Sequence, residues 1–212
     1  KLSVFDSEIG YWSDSSASTA SDDDNNQQPD KQNDKQRLAQ TLNNWCVEQS
    51  NTHYMLNEGG LSKLISLSHS SDRKIKKNCA QAFNRLCRDP TITPTLLSRE
   101  VVPALVALAY TLKSPKRGLD CAEAMVKLTL LPNANETLVN DGAVAAFMSL
   151  MSLGPNLVAP VCVQGLFNLT CAPPDLQHSI DKVIKSIVNL PFTDKIDPRP
   201  IICKSMLNCA IL

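Results

Sequence analysis

The sequence predicts an all-α solenoid, a stack of units of about 41 residues with three helices in each. Two series of blocks carry that prediction. The first reads Gly60-Leu61-Ser62-Lys63-Leu64-Ile65, Val101-Val102-Pro103-Ala104-Leu105-Val106, Ala143-Val144-Ala145-Ala146-Phe147-Met148 and Val183-Ile184-Lys185-Ser186-Ile187-Val188. Its leading apolar residue steps from Leu61 to Val102, Val144 and Ile184, intervals of 41, 42 and 40. The second series opens at Cys79, Cys121, Cys162 and Ile202, intervals of 42, 41 and 40. An earlier copy, Leu38-Ala39-Gln40-Thr41-Leu42, begins 41 residues before Cys79. A period near 40 in two independent series requires that each unit bury its apolar face against the next.

The elements follow in chain order. Residues 1–36 are rich in Ser, Asp, Asn and Gln and bury too little apolar surface to offset their ordering entropy, so a disordered tail is expected there. From Arg37, Leu38, Leu42 and Trp45 recur at i, i+4 and i+7, one face of a helix. A partial unit is expected over 37–57, then units 58–98, 99–140 and 141–180, and a partial unit over 181–212. Within a unit a short helix comes first, as in Pro94-Thr95-Leu96-Leu97 or Glu136-Thr137-Leu138-Val139, and a medium helix follows. A polar break precedes the long closing helix: Ser70-Ser71-Asp72, Ser114-Pro115-Lys116, Gly154-Pro155-Asn156 or Asp197-Pro198-Arg199-Pro200. The final block stops inside a helical pattern, which suggests a fragment of a longer chain.

Charge is zero in sum but divided. Residues 1–36 hold eight acidic and three basic side chains, a balance of −5, leaving +5 for residues 37–212. This division predicts an acidic tail that visits the basic array and competes with partners in cis. Eight cysteines without a Cys-x-x-Cys pair, three of them in one repeat column, read as buried reduced thiols, so a cytoplasmic or nuclear protein is expected. No apolar run reaches the ~20 residues of a membrane span.

The elements Asn57-Glu58-Gly59-Gly60-Leu61-x-x-Leu64-Ile65-x-Leu67 and Asn140-Asp141-Gly142-Ala143-Val144-x-x-Phe147-Met148-x-Leu150 resemble armadillo repeats, as in β-catenin and importin-α. The resemblance covers about residues 37–212 and implies a right-handed superhelix whose third helices line a concave groove. It also implies a glycine at the corner between the first two helices. The units near Val101 and Lys182 lack it, so less regular corners are expected there. Pro160 near the start of a third helix is expected to shorten or kink it.

In this family one third-helix column often holds Asn, whose amide pairs with the backbone of an extended peptide. The equivalent positions are Asn44, Arg85, Lys127, Asn168 and Asn208. Four residues earlier, where importin-like receptors carry Trp, stand Gln40, Gln81, Glu123, Gln164 and Lys204. Without that Trp column the shelves for a basic nuclear-localisation signal are missing. Arg85, Lys127, Lys204 and Arg88 suit an acidic or phosphorylated peptide better. The basic run Arg73-Lys74-x-Lys76-Lys77 reads as solvated helix surface, because no aromatic residue interleaves it, and nucleic acid is not an expected partner.

His53, His69 and His178 fall in no metal-ligating spacing, and the seven glycines build no phosphate loop. No enzyme activity, cofactor, metal or small-molecule substrate is therefore expected. The sequence points to an interaction scaffold or adaptor that binds a protein or peptide in extended conformation. The alternatives are a nuclear transport receptor of importin-α type, or the substrate-recruiting region of a larger ubiquitin ligase or other multidomain enzyme.

Overall fold

A computed structural model describes residues 28–132 and 134–170 of the chain. Contacts separate residues 1–34 from 35–212; of the first unit only the opening turns of helix α1 are described, and the stacked helices belong to the second. The units from residue 171 on, with Lys204, Asn208 and the Ile184 and Ile202 blocks, lie outside the described residues, as does the acidic stretch 1–27.

Ten α-helices are described: α1 (Gln28–Trp45), α2 (Thr52–Asn57), α3 (Gly60–Ser68), α4 (Arg73–Leu86), α5 (Thr93–Leu97), α6 (Val101–Thr111), α7 (Pro115–Leu128), α8 (Ala134–Asn140), α9 (Ala143–Met151) and α10 (Ala159–Thr170). No strand occurs among the described residues. The short–medium–long order recurs three times, as α2–α3–α4, α5–α6–α7 and α8–α9–α10, after a lone long helix α1. The boundaries expected at 58, 99 and 141 fall at the corners between first and second helices, so a unit taken from short to long helix spans 52–86, 93–128 or 134–170. Helix α1 starts at Gln28, and residues 28–36, grouped by composition with the tail, form its first turns. Composition underrates this stretch because Gln, Lys and Asp at a helix start lack apolar character yet have adequate helix propensity.

Local chemistry sets the element ends. The Asp72 carboxylate caps α4, with Oδ1 accepting from the Lys74 and Ile75 amides at 2.6 and 3.2 Å. Pro115 opens α7 and Pro94 sits in the first turn of α5, where a missing N–H costs nothing. Pro160 is likewise in the first turn of α10, which begins three residues before Cys162, whereas α4 and α7 begin six before Cys79 and Cys121.

The corner before each second helix is left-handed: Gly59 at φ 73°, Glu100 at φ 57° and Gly142 at φ 93°. The unit without glycine therefore keeps the same corner, contrary to the irregularity expected of it. Glu100 holds a conformation that costs a side-chain-bearing residue about 1–2 kcal/mol, and the packing of α5–α6–α7 imposes it. At Gly60 a Cβ would lie 2.9 Å from the Met55 sulfur and 3.2 Å from the Met55 carbonyl oxygen, so close approach of α2 and α3 also excludes a side chain.

One continuous core runs through the units, built from the repeated columns. Leu64, Leu105 and Phe147 are fully buried, as are Cys79, Cys121 and Cys162, Phe83, Met125 and Leu166, and Leu86 and Leu128. Burial raises the thiol pKa of Cys46, Cys79, Cys87 and Cys162 to about 12 and pushes Cys121 up further. All five are free thiols.

Candidate functional site

The third helices α1, α4, α7 and α10 lie side by side, and polar groups stitch each to the one before. Between α1 and α4, Arg85 Nη1 donates to both the Asn43 carbonyl and its side-chain Oδ1, each at 2.7 Å. The Asn43 amide in turn donates to Gln81 Oε1 at 3.3 Å and Asn78 Oδ1 at 3.5 Å. Between α4 and α7 the same pattern returns one unit later. Lys127 Nζ donates to Asn84 Oδ1 at 2.6 Å and the Asn84 carbonyl at 3.3 Å, while the Asn84 amide donates to Glu123 Oε2 at 2.8 Å. Asn43 and Asn84 stand in the last turns of α1 and α4, so each cation also sits at the negative end of the preceding helix. Between α7 and α10 the partners change: Asn168 Nδ2 donates to Thr129 Oγ1 at 2.8 Å, and Asn168 Oδ1 accepts from Gln164 Nε2 at 2.8 Å.

Of the positions expected from the sequence, Arg85, Lys127 and Asn168 each bond to the preceding third helix. These positions do different work. Asn44 and Gln40 are exposed on α1. Arg85 and Lys127 are half-buried and already engaged with the preceding unit, and Asn168 has both its carbonyl and an N–H in use. Gln81 accepts from Asn43 across the seam, and exposed Gln164 donates to Asn168 within α10. The adjacent column supplies what sequence alignment passed over: Asn43 and Asn84, 41 residues apart and only 5% and 3% exposed. The doublet Asn43-Asn44 made the register ambiguous by one, and the buried partner is the inner one.

Arg85 also lines a depression of about 420 Å³ with Cys46, Val47, Thr52, Arg88 and Asp89, beyond the ends of α1 and α4. Val47 is 63% exposed at its rim. Burial, and then the nearby Arg88, lower the Lys127 pKa below the ordinary lysine value, so Arg88 and Lys127 share one positive field. Among the described residues no cluster of His, Cys, Asp or Glu could hold a metal ion, and no described helix is long and apolar enough to cross a membrane.

No family model and no curated protein sequence matches the chain. Solved structures do. A computationally designed armadillo repeat protein for modular peptide recognition matches with a TM-score of 0.65 at 16% identity, over 86% of this chain and 77% of its own. A designed armadillo repeat protein in complex with the peptide (KR)4 matches with a TM-score of 0.62 at 15% identity, over 88% and 78%. An engineered protein matches with a TM-score of 0.65 at 18% identity, over 84% and 74%. With three-helix units, left-handed corners and third helices in register, the chain has the armadillo-repeat fold.

Proposed function

We infer that the array is a non-catalytic binding scaffold that takes an extended acidic or phosphorylated peptide across α1, α4, α7 and α10. The observation that carries this reading is the sign of the inner column: Arg85, Arg88 and Lys127 gather where a peptide would cross from one unit to the next. A structural neighbour binds a peptide of alternating Lys and Arg. A column of cations instead favours carboxylate and phosphate groups, through charge-assisted hydrogen bonds. Because Arg85 and Lys127 are half-used in the seam, exposed Arg88 and Asn44 carry most of the ligand contact, with Val47 offering apolar surface beside them. Buried free thiols support a reducing setting, cytoplasmic or nuclear.

The test compares a fluorescein-labelled phosphorylated acidic peptide with a (KR)4 peptide on wild type and Arg88→Glu. Preference for the acidic peptide, weakened about tenfold or more by R88E, is expected. Tighter binding of the basic peptide would overturn the assignment and favour the transport-receptor alternative.

A further inference from the structure

A second charged surface lies at the opposite ends of the third helices. The loop before α4 and the loop joining α6 to α7 enclose a half-open groove of about 760 Å³. Six cations line it: Arg73, Lys74, Lys76 and Lys77 from α4, Lys113 from the loop, and Arg117 from α7. Two carboxylates stand near them, and both are committed. Asp72 caps α4 and accepts from Gln36 Nε2 at 2.7 Å, and Asp120 pairs with Arg117 at 3.5 Å. Among the described residues the other five cations have no ion-pair partner. Holding this many like charges around one hollow is unfavourable unless an anion fills it.

Two further features point inward. Tyr110, 57% exposed, stands on the groove wall and brings to the basic run the aromatic ring that its own sequence lacks. Helix α7 begins beside the groove with Pro115, and the Ser114 hydroxyl makes no capping bond, so the positive pole of a 14-residue helix is left for a ligand.

We propose that this groove binds a compact soluble anion bearing several phosphate monoesters, of the size and charge of an inositol polyphosphate. The volume is that of a small-ligand site. The charge is local: the corresponding loop of the next unit, Gly154-Pro155-Asn156-Leu157-Val158, contains no cation. A nucleic acid tracking along the units would lose its contacts there, and one tyrosine gives a single stacking surface where a single strand uses several. The site is separated from the Arg85–Arg88 depression by the 14 residues of α4, about 20 Å.

The probe is inositol hexakisphosphate, titrated calorimetrically at 150 mM salt against wild type, Lys77→Glu/Lys113→Glu and a control of equal charge change, Lys63→Glu/Arg99→Glu. Inorganic sulfate, a ten-nucleotide single-stranded RNA and vesicles containing a phosphoinositide are separate arms. One-to-one binding of the hexakisphosphate is expected, weakened about tenfold or more by K77E/K113E and less than about threefold by K63E/R99E. Should K77E/K113E lose its far-UV helix signal, K77Q/K113Q takes its place. Equal weakening by both double variants would reduce the effect to net charge and overturn the site. Tighter binding of the RNA would overturn it in favour of nucleic acid, and binding only to vesicles in favour of a membrane surface.

Discussion

Replacing Gly165 with Ala isolates how the third unit is packed. A Cβ at this position would lie 2.4, 2.7 and 2.9 Å from three ring carbons of Phe147, inside contact distance of a fully buried aromatic face. Repeat alignment explains the glycine. Its equivalents are Ala82 and Ala124, and the equivalents of Phe147 are Leu64 and Leu105, so two units pair Leu with Ala and the third pairs Phe with Gly. The total volume is nearly conserved, which is what close-packed cores tolerate. Overpacking of this kind costs roughly 1–3 kcal/mol, offset by about 1 kcal/mol of gained helix propensity. Gly165→Ala is therefore expected to destabilise by up to about 2 kcal/mol, lowering the melting temperature by up to roughly 8 °C. Phe147→Leu alone leaves a void and costs roughly 1 kcal/mol. Combined, the two changes rebuild the Leu–Ala pair of the other units, and the double variant is expected to be more stable than either single one. Urea denaturation followed by circular dichroism, run as a double-mutant cycle, measures this. A double variant no more stable than Gly165→Ala would refute the packing argument.

Three other outcomes are expected. Glu100→Gly relieves the left-handed corner and should raise stability by about 0.5–1 kcal/mol, less than the strain itself because glycine also loosens the unfolded chain; the urea midpoint reports it. Asn84→Ala strips Lys127 and Glu123 of their shared partner and should cost about 1–2 kcal/mol in the same assay, whereas Asn44→Ala, at an exposed side chain, should change stability by under about 0.5 kcal/mol. Alkaline pH should destabilise the fold through its buried thiols. Their folded pKa lies above the ordinary thiol value of about 9, at about 12 for four of them, so the folded state holds protons that the unfolded state has released. This stability is fully present below pH 9 and is lost as pH rises towards 12, by roughly 1 kcal/mol per thiol at pH 10; urea midpoints between pH 8 and 10.5 check it.

The solenoid was legible because its signals are redundant. Leu61, Val102 and Val144 mark the second helices and Cys79, Cys121 and Cys162 the third, and either series alone implies the period. The corner at Glu100 was misjudged because glycine preference describes the cost of a conformation, while neighbouring helices decide whether that cost is met. The candidate column was read as a ligand track, whereas Arg85 and Lys127 also bond across to the preceding helix. Periodicity places Arg85 and Lys127 on the same face, yet it does not say that long side chains reach back 42 and 43 residues to Asn43 and Asn84. The groove near Tyr110 was invisible for a related reason: its cations and its ring come from segments about 35 residues apart, and only the stacking of α4 against α7 joins them.

The backward reach of Arg85 and Lys127 has a bearing on how such a chain can be shortened or shuffled. Excising 41 residues so that Asn43 takes the place of Asn84 would offer Lys127 an identical acceptor and preserve the junction. Excising the following module instead would bring Asn168 against Cys87, the counterpart of Thr129, and leave its amide without a hydroxyl to meet. The first two junctions are interchangeable and the third is not, so tolerance to deletion should fall along the chain in that order.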